Sequence, residues 1–250
     1  MCAFRAIRNR VLNRTQQLQS LINRFVEQYL CRQYRAMIVM FHHVSDDALD
    51  DVIPSCKCKI SDFEKIVNFI KEDVVSLDNL LLQMRKGNYR GRRYVITFDD
   101  VPEDFYHNAY PRLVAANLPF TLYVTYNYIG LKGYLSQEQL CEIANSPLAT
   151  IGAHTMSHPM LCEEDVDLQE EVRASRDKLA VMLNREIRHF AYPYGSMLAV
   201  NKRVVDFVKR EDFDSAVVTL PGYLNPFTTR SPYRLPRVHN ELFMSKYMDL

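Results

Sequence analysis

Residues 94–100 read YVITFDD, and this stretch decides how the rest of the chain is interpreted. Its first five residues are apolar or β-prone, which predicts a buried strand. Its last two are adjacent carboxylates, Asp99 and Asp100, and each raises the cost of ionising the other. A shared cation would offset that cost, with one carboxylate binding it and the other accepting a proton. Taken alone, the stretch fits a strand followed by a solvated polar turn equally well.

A second apolar strand end carries two histidines. Residues 151–158 read IGAHTMSH, which places His154 and His158 four residues apart. At that spacing two imidazoles can lie on one side of a turn and bind a divalent metal. The carboxyl ends of parallel strands share one face of an α/β barrel, so Asp100 would join them. Three protein ligands with an open position are typical of catalytic zinc, and cobalt, nickel or manganese also suits these donors.

Three motifs follow one another in a characteristic order: TFDD at 97–100, HTMSH at 154–158 and FAYPYG at 190–195. Together they resemble the polysaccharide deacetylase (NodB-homology) family of carbohydrate esterases, across residues 37–237. The resemblance implies a distorted (β/α) barrel of about seven βα units with a mainly parallel sheet. It also implies a metal-dependent hydrolase that removes acetyl groups from an N-acetylated sugar, polysaccharide or glycolipid precursor.

Two positions depart from the family pattern. Val101 stands where the family usually has glycine, and Ala191 stands where it often has an arginine that clamps the catalytic aspartate. Arg188 is the substitute that the sequence suggests, either as this clamp or as a substrate contact. The departures keep open a family member that binds metal or carbohydrate without catalysis. An O-acetyl esterase or another amide hydrolase on the same fold is a further alternative.

The resemblance also assigns roles to single residues. Asp99 would act as the general base towards a water acidified by the metal. Pro193 and Tyr194 would contact the substrate, and a backbone N–H near Tyr194 would stabilise the oxyanion. His239 would be the general acid, although a surface histidine is the alternative. His42, at the end of the apolar stretch 37–44, would touch substrate or support the metal site, and a structural role fits it equally well.

Strand-like and helix-like segments alternate along the chain, which indicates an α/β fold. Periodicity alone does not distinguish a barrel from a doubly wound open sheet. Residues 60–72 are predicted to be a helix capped by Ser61, and residues 163–184 to be the longest helix. Residues 233–238 are predicted to be the last strand.

Composition limits the function classes. A chain of 250 residues with 48% hydrophobic residues can bury one sizeable core. A net charge of +1 gives no overall field that would attract nucleic acid. The six cysteines are irregularly spaced, which favours reduced thiols. Because no segment has the apolar length of a signal peptide or a spanning helix, we expect a cytoplasmic location.

Residues 1–35 form a separate predicted segment before a catalytic domain at 36–250. The segment contains seven arginines and one acidic residue, Glu27, with apolar residues close to helical spacing. A helix packed on the outside of the domain explains this pattern. A basic amphipathic helix lying on the anionic inner surface of a membrane is the alternative, and it would add a peripheral membrane contact.

Overall fold

The computed structural model describes residues 34–47, 56–88, 90–225, 228 and 231–248. Residues 1–33 lie outside them, so the predicted N-terminal helix and its membrane contact stay predictions. The described part of the chain contains ten strands, which we number in chain order. The strands are Tyr34–Phe41 (β1), His43–Val44 (β2), Lys57–Cys58 (β3), Gly91–Asp99 (β4), Phe120–Val124 (β5), Ala149–Ala153 (β6), His189–Ala191 (β7), Ser215–Val218 (β8), Leu235–Pro236 (β9) and Val238–His239 (β10).

Helices follow most of the strands. Two π-helical turns, Phe105–Ala109 and Gln169–Ala174, run directly into α3 and α5, and the first fits the kink that Pro111 predicts. No helix among the described residues is long and apolar enough to cross a membrane. The α-helices are Ile60–Ile70 (α1), Leu77–Arg85 (α2), Tyr110–Ala115 (α3), Gln137–Ala144 (α4), Ser175–Leu183 (α5), Lys202–Arg210 (α6) and Asn240–Tyr247 (α7).

Eight parallel strands form a nearly closed barrel. Their order is β10-β1-β4-β5-β6-β7-β8-β9, and the two ends of the sheet are consecutive in sequence. Leu235 and Pro236 pair with β8, whereas Val238 and His239 pair with β1. Only Arg237 separates the two pairings. The expected (β/α) barrel is therefore confirmed. The two short strands β9 and β10 together take the place of a seventh strand, beside the six strands β1 and β4 to β8.

The alternation of side chains along β4 explains why Asp99 faces the barrel interior. Successive residues of a strand point to opposite faces. Ile96 and Phe98 pack in the large core between the sheet and the helices, while Val95 belongs to a smaller interior cluster. Asp99 points to the same face of the strand as Val95 and Thr97, and it is buried. A carboxylate in that position needs a partner inside the barrel.

Helix α2 closes the amino end of the barrel. Its buried leucines, Leu77, Leu80 and Leu81, share the interior cluster with Ala36 and Val95. Ser76 caps this helix by accepting a hydrogen bond from the Asn79 amide. The apolar plug leaves the carboxyl ends of the strands as the open face, where both motif histidines lie.

Several local predictions were wrong. Ser61 is not the N-cap of α1: the helix begins at Ile60, whose amide donates to Asp46 at 3.1 Å. The predicted helix at 163–184 is helical only from residue 168. The predicted strand at 233–238 is split at Arg237, because its two halves pair with different neighbours.

Candidate active site

The buried partner of Asp99 is Arg237. The guanidinium donates two parallel hydrogen bonds, Nη1 to Oδ1 and Nη2 to Oδ2, each 2.6 Å long. Both side chains are almost fully buried, and the guanidinium also lies over the ring of Tyr123 at 5.4 Å. Sequence reasoning missed Arg237 because its position in the barrel depends on the closure between β9 and β10.

This pairing decides the ionisation state of Asp99. Burial by itself would raise the pKa of the carboxyl, but the Arg237 guanidinium and the nearby His154 oppose it and dominate. The pKa of Asp99 is therefore held well below its usual range. The pairing therefore favours the ionised carboxylate, which is the form that can accept a proton.

Arg188 is not the clamp on Asp99, and that prediction was wrong. Its guanidinium forms ion pairs with Asp78 at 2.9 Å and with Asp214 at 3.3 Å. Arg188 immediately precedes β7, so it lies at the amino end of the barrel, opposite the motif histidines. A role in contacting substrate at the open face is excluded by the same geometry.

Asp100, His154 and His158 converge at the open end. The Oδ1 atom of Asp100 lies 3.6 Å from Nε2 of His154 and 3.7 Å from Nε2 of His158. Ligand atoms around a tetrahedral zinc ion, bonded at about 2.0–2.2 Å, are separated by roughly 3.3–3.6 Å. The three donors are thus spaced as a metal site requires, and His154 is buried while the other two are partly exposed.

A hydrogen bond from its Nδ1 atom fixes the orientation of the His154 ring. Its Nδ1 lies 2.8 Å from the carbonyl oxygen of Ala191, which only a protonated Nδ1 can bond. The lone pair of Nε2 is consequently directed towards Asp100. Such a backbone partner is a common way to fix the tautomer of a metal-binding histidine.

Glu171 holds the turn that separates the two histidines. Its Oε2 accepts from the amides of Met156 and Ser157 at 3.0 and 2.9 Å, and its Oε1 accepts from the Ser157 hydroxyl at 2.6 Å. The His158 amide donates to the Thr155 hydroxyl within the same turn. The sequence offered no signal for Glu171, because its role depends on how the helix packs.

We expect Glu171→Ala to weaken metal binding at this site by roughly 10–100-fold, the usual cost of removing a group that orients ligands. The turn would lose three charge-assisted hydrogen bonds, so His158 would no longer be held beside Asp100. Competition titration with a chromophoric chelator measures the change. The matched control is Glu170→Ala, which removes an exposed neighbour paired only with Lys178 at 3.5 Å. Equal affinity in the two variants would contradict this role of Glu171.

Two histidines, one following β1 and one ending its neighbour β10, stack beside the site. The rings of His42 and His239 lie 5.9 Å apart at 27°. Burial lowers the pKa of His42 to about 4, although Asp99 and Asp100 favour its charged form. Burial also lowers the pKa of His239, with Glu241 as its strongest favourable neighbour. Both predicted residues are therefore close enough to interact electrostatically with Asp99, and His42 also interacts with Asp100.

Aromatic rings surround His158. Tyr194 is 55% exposed, and its ring meets His158 edge-on at 4.9 Å. Tyr128 stacks on the other side of His158 at 6.4 Å and contacts Tyr134 at 4.7 Å. Pro193 is buried, and its carbonyl accepts from the Gly195 amide. Of the two predicted substrate contacts in this turn, Tyr194 alone presents its side chain at the rim.

Residues 86–215 match the family model described as polysaccharide deacetylase, which is half of the chain. The chain belongs to the polysaccharide deacetylase family. The predicted resemblance is confirmed. The three motifs that carried it lie together at the open end of the barrel.

Relatives of this deacetylase-family chain are distant. It is 24% identical over 154 residues to the poly-β-1,6-N-acetyl-D-glucosamine N-deacetylase of Staphylococcus aureus, covering 55% of this chain and 53% of that protein. The chain spans about half the length of the curated relatives it matches. Among solved structures, Streptococcus pyogenes deacetylase PplD in complex with acetate aligns with a TM-score of 0.72 at 20% identity, covering 84% of this chain and 97% of that one. IcaB from Ammonifex degensii aligns at 0.70 and 19%, covering 82% and 91%.

The first departure from the polysaccharide deacetylase pattern, Val101, adopts the backbone that favours glycine. Asp100 and Val101 have φ values of 60° and 58°, and the Val101 amide donates to the Asp99 carbonyl at 2.7 Å. A buried β-branched residue in this region stores about 1–3 kcal/mol of strain. The fold accepts the strain and keeps the turn that presents Asp100.

The FAYPYG motif forms a similar tight turn. Tyr194 has φ 62°, and the Gly195 amide donates to the Pro193 carbonyl at 2.7 Å. Gly195 has φ +56°, and an added Cβ would lie 2.3 Å from the Thr219 hydroxyl. Only glycine fits there. The turn therefore fixes Tyr194 against His158.

Proposed function

We propose that the protein is a metal-dependent deacetylase that removes acetyl groups from N-acetylated sugars of a polysaccharide or glycolipid precursor. The single observation that carries the proposal is an ionised carboxylate, Asp99, clamped by Arg237 directly beside the Asp100–His154–His158 cluster. Family membership and the named activity of the S. aureus relative support the substrate class.

Asp100, His154 and His158 would hold the metal, and their donor set fits zinc. A divalent ion bound there would acidify water and polarise a carbonyl oxygen. Asp99 accepts the proton that the attacking water loses, since its carboxylate lies within 3.9 Å of the His154 ligand atom. The backbone N–H of Tyr194 stabilises the negative charge on the acetyl oxygen. Tyr194 and Tyr128 bracket the sugar ring at the rim.

The leaving nitrogen must receive a proton, and we propose that His42 delivers it. His42 interacts electrostatically with both Asp99 and Asp100, which stabilise the charged imidazole once it takes up a proton. His239, the donor expected from the sequence, stacks behind it and interacts more strongly with Glu241 than with Asp99. In this arrangement His239 positions His42.

Replacing each histidine by glutamine separates these roles. We expect His42→Gln to lower kcat by roughly 100-fold or more, because general acid catalysis typically contributes that much. His239→Gln should have a smaller effect and mainly shift the pH profile through the stacked ring. Steady-state acetate release measures both. The larger loss in His239→Gln would reverse the assignment.

The activity itself is tested by acetate release from β-1,6-linked and β-1,4-linked N-acetylglucosamine oligomers, with an O-acetylated sugar in parallel. We expect release from an N-acetyl substrate, loss of that release on treatment with a chelator, and recovery when zinc or cobalt is added back. Release from the O-acetyl ester alone would favour the esterase. Metal binding without any release would favour a family member that has lost catalysis.

The two departures from the family pattern no longer favour the inactive alternative. Val101 adopts the required φ, and Arg237 occupies the clamp that Ala191 lacks. The cytoplasmic location stays a prediction.

A further inference from the structure

A second cluster of metal-binding side chains lies around the carboxyl ends of β1 and β10. One ligand atom each of His42, Cys56 and His239 lies within 4.8 Å of the others. Strand pairing brings them together: Met40 pairs with His239 across β1 and β10, and His43 pairs with Lys57 across β2 and β3. The cluster is therefore built by the fold from three separate segments.

The histidines of this cluster have unused hydrogen-bonding capacity. The Nδ1 atoms of His42 and His239 are buried, and neither has a hydrogen-bond partner among the described residues. Buried polar atoms are nearly always paired, so two unpaired nitrogens on rings that stack 5.9 Å apart call for a ligand. The stacking of the two rings buries their apolar faces, but it gives neither Nδ1 atom a hydrogen-bond partner.

We propose that His42, Cys56 and His239 form a second metal site, which binds zinc or another thiophilic divalent ion. Two imidazoles and a thiolate are ligands that zinc takes readily, and the thiolate discriminates against magnesium and calcium. Ligand atoms around tetrahedral zinc are about 3.3–3.8 Å apart, so the side chains need only a small approach. Asp99 and Asp100 favour a cation here, while Arg237 opposes it.

Occupation of this site would inhibit the enzyme. An imidazole with one nitrogen bound to the ion cannot take up the extra proton that His42 must deliver, so zinc in excess of the first site would lower turnover. This consequence rests on the proposed function, whereas the metal site itself does not.

Cobalt titration of the full chain under reducing conditions tests the site, because thiolate-bound cobalt gives a near-ultraviolet charge-transfer band. We expect two equivalents and this band in the wild type, and one equivalent without the band in Cys56→Ser. Cys141→Ser, which alters a half-buried cysteine of α4, should behave as the wild type. His154→Ala should lose the other equivalent and keep the band. A single equivalent in the wild type, or a band that survives in Cys56→Ser, would overturn the proposal.

Zinc inhibition gives the second readout. At a zinc concentration that saturates the first site, added zinc should reduce acetate release by the wild type, and Cys56→Ser should need about 10-fold more zinc for the same reduction. A normal cobalt result with equal inhibition of both proteins would overturn the inhibitory role alone. A normal cobalt result without acetate release from any substrate would reject the proposed function and leave the metal site standing.

Discussion

Asp99→Asn is expected to lower kcat for acetate release by roughly 1,000-fold while the metal stays bound. General base catalysis contributes about 10²–10⁴-fold, and an amide cannot accept the proton. The proposed ligands Asp100, His154 and His158 are unchanged, so metal affinity should stay within a few fold of the wild type. Acetate release and a metal titration on the same preparation measure the two effects separately.

The matched control is Asp78→Asn. Asp78 is another carboxylate bound to an arginine and a histidine, but it lies at the amino end of the barrel beside Arg188 and His189. Its replacement should leave turnover near the wild-type value. Full activity in Asp99→Asn would show that another group is the base. Loss of metal together with turnover would mean that Asp99 is itself a ligand.

Arg237→Met is expected to have the largest effect on stability. Removing one partner of a buried ion pair typically costs about 3–5 kcal/mol, because the remaining charge is left uncompensated in the interior. Urea denaturation of metal-free protein at pH 7 measures the loss. The free energy of unfolding of the whole barrel should fall, because Arg237 also lies between β9 and β10, where the barrel closes.

The pH dependence of that loss follows from the pKa of Asp99. In the wild type this pKa is lowered, so the pair contributes stability that is present above the unfolded carboxyl pKa of about 3.9 and is lost as pH falls. In Arg237→Met burial is no longer opposed by the guanidinium, and the Asp99 pKa should rise. The variant would then regain stability as pH falls and the carboxyl is protonated. The difference between the two proteins should shrink between pH 7 and pH 4.5.

Two further variants make this result specific. Arg188→Met removes an exposed arginine with two carboxylate partners, and surface pairs contribute only about 0–1 kcal/mol. The double variant Arg237→Met/Asp99→Leu removes both buried charges and should recover much of the lost stability. A deficit in Arg237→Met that is independent of pH, or that the double variant does not reduce, would contradict the assigned pair.

Local sequence determined the strands and the chemical nature of the site. The run before Asp99 could only be a buried strand, and the spacing of His154 and His158 already indicated metal ligands. Helix α4 begins with the Ser136–Gln139 capping box, a purely local signal. The cap of α1 was mispredicted because Asp46, fourteen residues earlier, provides it.

What the sequence by itself determined was the alternation of strands and helices and, through the resemblance carried by its three motifs, the family and the barrel. It also singled out Asp99, Asp100, His154 and His158 as candidate site residues, because residue type and spacing within a motif carry that information. Only the tertiary structure decided that Arg237 is the clamp, that Glu171 braces the histidine turn, and that His42, Cys56 and His239 meet. Each of these contacts depends on the register with which distant strands and helices pack, and no local pattern encodes that register. The same long-range closure that forms the barrel therefore also completes its site.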